Sequence, residues 1–266
     1  MAPTALPKIE LYAVADRLAD AARTAILPHF RTPGLLTESK LEGGFDPVTE
    51  ADRAAERAMR EVLAELRPDD AILGEEYGNQ EGSTGLTWIL DPVDGTRGFV
   101  AGTPTWGVLI ACSDQWGPKL GIIDQPYIGE RFCGGLGRAD VTGPMGTSPL
   151  CVRTPRPLKE ATLLTTFPEV GTPAEGAAFH RAAERVRLTR YGMDCYGYAL
   201  LAAGQVDLVI EAGLSSYDIA APIAVIEAAG GLVTDWQGGP AHEGGRALAA
   251  ANPAIHAEAL AILNAD

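Results

Sequence analysis

The feature that most constrains this chain is a change of hydrophobic period. Over Lys8–Phe30 the apolar residues Ile9, Tyr12, Ala15, Leu18, Ala19, Ala22, Ile26 and Leu27 form a helical stripe. Over Thr49–Leu66 a clearer stripe runs through Ala51, Ala54, Ala55, Ala58, Met59, Val62, Leu63 and Leu66, with Pro68 just beyond. Both stretches predict helices. After Pro68 the period collapses. Ala71-Ile72-Leu73, Trp88-Ile89-Leu90, Gly107–Ile110, Leu120–Ile123 and Arg131–Cys133 are short apolar runs set between Gly, Pro and Asp, and they predict strands. Helices followed by a block of strands predict a layered α+β half.

The stretch between Val141 and Leu158 is the richest in Pro, Gly, Ser and Thr and predicts a boundary, giving halves 1–145 and 146–266. Beyond it the two periods alternate. Strands are predicted at Leu163–Thr166, Val206–Glu211, Leu232–Thr234 and Ala247–Ala250, and helices at Ala174–Arg187, Cys195–Ala203, Asp218–Ala229 and Ala254–Leu263. That alternation predicts an α/β half with helices on both sheet faces.

Composition narrows the function. The 266 residues are 46% hydrophobic and 21% charged, enough for one large domain or two closely joined ones. With 35 acidic against 21 basic side chains the net charge is −14, so no nucleic-acid partner is expected, because a phosphate-backbone binder needs a basic stripe. An anionic substrate stays allowed, since bound cations can invert the local field. Cys112, Cys133, Cys151 and Cys195 make no CxxC pair, and His29, His180, His242 and His256 make no HExxH. Zinc-finger, thioredoxin-like and zinc-hydrolase readings fall away. The segment MAPTALPKIE has no apolar signal core and no 18-residue apolar run occurs, so the expectation is a cytoplasmic protein with reduced thiols and no membrane partner.

The chemistry concentrates at the ends of the apolar runs. Trp88-Ile89-Leu90 stops in Asp91-Pro92-Val93-Asp94-Gly95-Thr96. Two hard oxygen anions at a strand end, with the Val93 peptide oxygen beside them, make a candidate Mg²⁺ site. Gly95 lets a backbone N–H approach a phosphate closely, and the Thr96 hydroxyl could hold a water. An ordinary Asp-Pro turn would use the same residues. Glu75-Glu76 closes the preceding run; such a pair is usually solvated, but two neighbouring strand ends would aim four carboxylates at one place, which is costly without cations. In Asp46-Pro47-Val48-Thr49-Glu50-Ala51-Asp52, Thr49 and Asp52 have capping-box spacing, and Asp52 could also orient a water-holding hydroxyl. Asp218, in Tyr217-Asp218-Ile219-Ala220-Ala221-Pro222, opens a helix, where a carboxylate is favoured by the macrodipole. Ala220 and Ala221 would permit close packing.

These four motifs, in this order and spacing, resemble the Mg²⁺-dependent inositol monophosphatase-like superfamily over almost the whole chain. The resemblance implies a layered αβαβα sandwich, usually a homodimer, acting on a small-molecule phosphate monoester with two or three Mg²⁺ per site and inhibited by Li⁺. It implies that Glu75, Asp91, Asp94, Asp218 and the Val93 carbonyl ligate metal. Asp52 and Thr96 would position the attacking water, Glu76 would support the ligands, and the Gly95 and Thr96 N–H groups would hold phosphate. Arg97, the Asp194-Cys195-Tyr196 segment and Asp207–Glu211 resemble the histidinol-phosphate phosphatase branch. Asp194 and Glu211 would then form an acidic wall for a cationic substrate, with Tyr196 as a stacking face and Arg97 on the phosphate or bracing the acidic cluster. Inositol monophosphate, a sugar bisphosphate or a nucleotide 3′-phosphate are the rival substrates. A non-catalytic metal or phosphate sensor is the rival class.

Overall fold

Three cores separated by two sheets organise the chain. The computed structural model describes residues 8–32, 37–39 and 47–265; Asp46 and the first seven residues of the amino-terminal segment lie outside them. In chain order the elements of the first part are α1 (Lys8–Ile26), β1 (Thr37–Ser39), β2 (Pro47–Thr49), α2 (Glu50–Leu66), β3 (Ala71–Gly74), β4 (Gly78–Gln80), β5 (Thr87–Asp94), α3 (Thr96–Ala101), β6 (Gly107–Asp114), β7 (Gly117–Gln125), β8 (Glu130–Gly135), β9 (Arg138–Gly143) and β10 (Gly146–Pro149). The rest are β11 (Thr162–Leu164), α4 (Pro173–Ala183), β12 (Leu188–Arg190), α5 (Asp194–Ala202), β13 (Leu208–Leu214), α6 (Ser216–Ala228), β14 (Leu232–Thr234), β15 (Gly245–Ala250) and α7 (Pro253–Leu263).

The larger sheet has the order β10-β9-β8-β7-β6-β5-β3-β4 and the smaller β12-β11-β13-β15-β14. Alternate residues of the predicted apolar runs explain the layering. Trp88, Leu90, Val108 and Ile110 join α1 and α2 in one core, whereas Ile89, Leu109 and Ala111 face the opposite way, into a core shared with α5 and α6. Val209 and Ala249 of the smaller sheet close that second core, while Leu208, Ile210 and Leu248 face α4 and α7 in a third. The result is the αβαβα sandwich the sequence predicts. A strand covered on both faces needs no polar alternation, which is why the runs are continuous.

The central helix α6 lies almost in contact with the larger sheet. A Cβ at Gly121 would overlap the Ala221 backbone and one at Gly134 the Val225 backbone, so small residues on both sides set this approach. The segment between Val141 and Leu158 carries the end of β9 and all of β10, both in the larger sheet, and the chain changes sheet between Pro149 and Thr162.

Candidate active site

Strand β5 delivers the site. Pro92 has no N–H to give a ladder, and the pairing of β5 with β6 slips between Asp91 and Asp94. The Val93 N–H turns instead to Asp91 Oδ1 at 3.1 Å, and Gly95, at φ 82°, starts α3. Parallel β3 ends beside it: Gly74 pairs with Leu90, and the Glu75 N–H donates to the Leu90 carbonyl at 3.2 Å. Glu75 therefore stands next to Asp91 and hydrogen-bonds it. Asp218 arrives from the first turn of α6, where its Oδ2 accepts the Ser215 N–H at 2.7 Å. Asp91, Asp94 and Asp218 each present an oxygen within 4.8 Å of the others.

The cluster is electrostatically unfavourable as it stands. Burial, then the charges of Glu75, Asp94 and Asp218, hold the Asp91 carboxyl well above its ordinary range. Burial and the charges of Asp218 and Asp194 do the same to Asp94, against the Cys195 N–H that donates to its Oδ2 at 2.6 Å. An all-oxygen, multiply anionic, partly buried donor set is what a hard divalent cation requires, and the residues fit one.

Beside the cluster, Thr96 Oγ1 lies 3.0 Å from the Val93 carbonyl and 3.4 Å from Asp52 Oδ1. The capping box is real: the Thr49 N–H and Oγ1 both donate to Asp52 Oδ2, at 2.9 and 2.6 Å, so one Asp52 oxygen caps α2 and the other faces Thr96. Burial, opposed by those Thr49 hydrogen bonds and reinforced by the charges of Glu76 and Glu75, raises the Asp52 carboxyl to about 6.

A cleft of about 340 Å³ opens over these groups. It is lined by Glu75, Asp91, Val93, Asp94, Gly95, Thr96, Arg97, Asp194, Glu211 and Asp218, as the sequence predicts, and also by Thr166, Phe167, Tyr198 and Tyr217. Asp194, at φ 45°, packs its carboxylate against Gly95 and Gly98, where a Cβ would come within 2.6 and 2.9 Å of it. Its Oδ2 accepts the Thr105 hydroxyl at 2.8 Å. Burial, opposed by Thr105 and by the Arg97 charge, raises it. Glu211 Oε1 accepts the Thr166 N–H at 2.7 Å and its hydroxyl at 3.0 Å; burial against those bonds pushes it up to about 7.

Three predicted residues do not line the cleft. Asp52 stands behind Thr96, and Glu76 reaches the site through its charge on Asp52. Tyr196 points elsewhere: its hydroxyl donates to Glu130 Oε2 at 2.5 Å and its ring packs on Phe132. The aromatic surfaces at the cleft are Phe167, stacked with the Arg97 guanidinium at 4.8 Å, the buried Tyr198, and Tyr217. A signal for Tyr198 exists in the sequence. It lies four residues after Asp194, on the same helical face, whereas Tyr196 is about 200° round the helix.

The inositol monophosphatase family model matches residues 8–265. Over 252 residues the chain is 36% identical to a histidinol-phosphatase of Mycobacterium tuberculosis, covering 93% of this chain and 95% of that one. It is 42% identical over 228 residues to the chloroplastic bifunctional phosphatase IMPL2 of Arabidopsis thaliana, covering 85% of this chain but 64% of that longer relative. A solved inositol monophosphatase from Zymomonas mobilis superposes with a TM-score of 0.86 at 37% identity, covering 97% and 99% of the two chains. The chain belongs to the inositol monophosphatase family and is a phosphatase of that family, a phosphoric monoester hydrolase. The family is typically metal-dependent, and the acidic cluster is where this chain could bind metal. Among the described residues no helix is long and apolar enough to cross a membrane.

Proposed function

We propose that this phosphatase hydrolyses L-histidinol phosphate to L-histidinol and phosphate in histidine biosynthesis, with Mg²⁺ as its ion. The observation that carries the substrate is the acidic wall: Asp194 packed on Gly95 and Glu211 beside Thr166 line one cleft with the metal cluster. Histidinol carries an ammonium and a titratable imidazole, which two carboxylates and the exposed Phe167 face complement. The histidinol-phosphatase name of the mycobacterial relative supports the same reading. We also propose a cytoplasmic homodimer inhibited by Li⁺, as the sequence resemblance implies.

Glu75, Asp91, the Val93 carbonyl, Asp94 and Asp218 would hold the metal. When bound, it supplies neutralisation of the phosphate charge and a lower pKa for water. The chain's own residues do the rest. Thr96 Oγ1, donating toward Asp52, keeps a lone pair to accept a proton from the attacking water, and Asp52 is the base behind it. Raised to about 6, the Asp52 carboxyl is close enough to neutrality both to take that proton and to release it. Thr49, bound to the other Asp52 oxygen, holds the carboxylate in place. Gly95 and Thr96 would hold the phosphate with their N–H groups, and Arg97 stands at the same mouth.

One observation favours inositol phosphate as a second reading. A Glu211 that keeps its proton up to about pH 7 suits a neutral polyol as well as a cation, and the Zymomonas structure carries that enzyme's name. Phosphate release with Mg²⁺, comparing kcat/KM for histidinol phosphate and inositol 1-phosphate, separates them. A strong preference for histidinol phosphate is expected; preference for inositol phosphate overturns the substrate and keeps the metal chemistry.

A further inference from the structure

The turn that carries Glu75 and Glu76 is gripped from behind by a residue no part of the reaction uses. Glu56, on α2, is completely buried. Its Oε2 accepts the Glu76 N–H at 2.6 Å, and its Oε1 accepts the Tyr77 N–H at 3.2 Å and the Arg60 Nε–H at 2.7 Å. Arg60 also donates to the Gly78 carbonyl, so the turn of the β3–β4 hairpin and the start of β4 are tied to one helix. The carboxylate lies so close to the hairpin that a Cβ at Gly74 would overlap it. Burying a carboxylate is costly unless its oxygens are fully used, and here they are used on the backbone of a strand end rather than on another helix.

Spacing gives the grip its meaning. Glu56 follows Asp52 by four residues, so the two carboxylates share one face of α2, about 6 Å apart along its axis. Asp52 meets Thr96 at the end of β5, and Glu56 meets the turn at the end of β3. One rigid helix thus sets the distance between the water-orienting pair and the glutamate beside Asp91.

We propose that Glu56 is a positioning residue for metal binding: through the Glu76 and Tyr77 N–H groups it fixes the Glu75–Glu76 turn, and with it the place of the Glu75 carboxylate against Asp91. This rests on the metal-dependent reading of the site. Groups that orient metal ligands in this indirect way cost about 10- to 100-fold in metal affinity when removed. Glu56→Gln is the informative variant. It is isosteric, but its NH₂ must face either the Glu76 N–H or both the Tyr77 N–H and the Arg60 Nε–H, so at least one bond is replaced by a clash of donors.

The test is a titration of the full-length, metal-stripped protein with Mn²⁺ alone, followed by loss of the free-ion EPR signal, alongside the Mg²⁺ dependence of phosphate release. E56Q is expected to bind Mn²⁺ at least tenfold more weakly, with kcat returning to within a few-fold of wild type at high Mg²⁺ and substrate KM unchanged. Gly74→Ala, which leaves Glu56 intact but displaces its carboxylate, should reproduce the loss and serves if E56Q folds poorly. Arg57→Ala, which removes a surface contact to the Tyr77 hydroxyl, should stay within about twofold of wild type. Wild-type Mn²⁺ affinity in folded E56Q and G74A, whatever their thermal stability, overturns the proposal. Failure of the wild-type protein itself to bind Mn²⁺ would overturn the metal reading first, and the proposal with it.

Discussion

Glu211→Gln is the substitution whose effect can be worked furthest. Glu211 is 6% exposed, and burial carries its carboxyl from the ordinary 4.5 to about 7 even though Thr166 hydrogen bonds oppose the rise. The folded protein therefore holds the proton that the unfolded chain gives up. Below about pH 4.5 both states are protonated and the group costs nothing. Between about 4.5 and 7 stability falls as pH rises, and above 7 the loss levels off. At about 1.4 kcal/mol per factor of ten in proton affinity, the plateau is about 3 kcal/mol. Glutamine keeps an acceptor for both Thr166 donors and cannot ionise. Whatever constant offset the amide brings cancels when two pH values are compared, and so do the other titrating groups. E211Q should gain about 2.5 kcal/mol on wild type between pH 5 and pH 8 in metal-free buffer, a relative rise in Tm of about 5–10 °C for a chain of this size. An offset that is the same at both pH values would refute the buried, proton-holding Glu211. The cleft supplies a companion readout. A cationic substrate favours the ionised glutamate, so the KM of wild type for histidinol phosphate should improve from pH 6 to pH 8 more than that for a neutral-alcohol phosphate, and E211Q should lose the difference.

Asp94→Asn should lower turnover by about 10³-fold, because it removes both a candidate metal ligand and the charge that the Cys195 N–H stabilises; phosphate release near the wild-type rate would remove Asp94 from the site. Asp194→Ala should raise the KM for histidinol phosphate about 10- to 100-fold, the worth of one charge-assisted hydrogen bond, and that for a neutral phosphate ester much less. Equal changes on both esters would take Asp194 out of substrate discrimination. Thr49→Val should cost about 1 kcal/mol through the lost cap of α2 and also move the pH–rate profile upward, since Thr49 hydrogen bonds hold the Asp52 carboxyl down; a stability loss with an unmoved profile would confine Thr49 to capping.

The layered fold was legible because burial on both faces leaves a simple trace. The runs at Trp88–Leu90 and Gly107–Ile110 are apolar without alternation, and their odd and even residues enter two different cores. What stayed hidden lacked that trace. Strand β4 (Gly78–Gln80) is fully exposed and β12 (Leu188–Arg190) nearly so, since each is a sheet edge with little to bury. The short helix α3 buries one residue, Phe99, and follows from Gly95 and Gly102 in left-handed conformation rather than from any periodicity. Strand β10 reads as linker because its four residues are Gly, Thr, Ser and Pro, all exposed.

The site divides along the same line. Carboxylates at the ends of apolar strands could be found from the sequence, because the run itself says where the chain surfaces and the next run says what surfaces beside it. Asp91, Asp94 and Glu75 are of this kind. Residues whose role depends on the facing of a helix could not be placed from a motif alone. Tyr196 and Tyr198 are chemically alike and two positions apart, yet half a turn of α5 sends one to Glu130 and the other to the cleft. Glu56 is the same case on α2, where five acidic residues crowd seventeen positions and only Asp52 and Glu56 are buried. Their spacing of four was visible beforehand. What gave it meaning was the sheet packed beneath, which puts the end of β5 under Asp52 and the end of β3 under Glu56. A helix laid across two parallel strand ends can reference both at once, and in this chain it does so with two carboxylates. Catalytic geometry is thereby tied to the packing of α2 on the larger sheet, so perturbing that contact should disturb metal binding before it unfolds the protein.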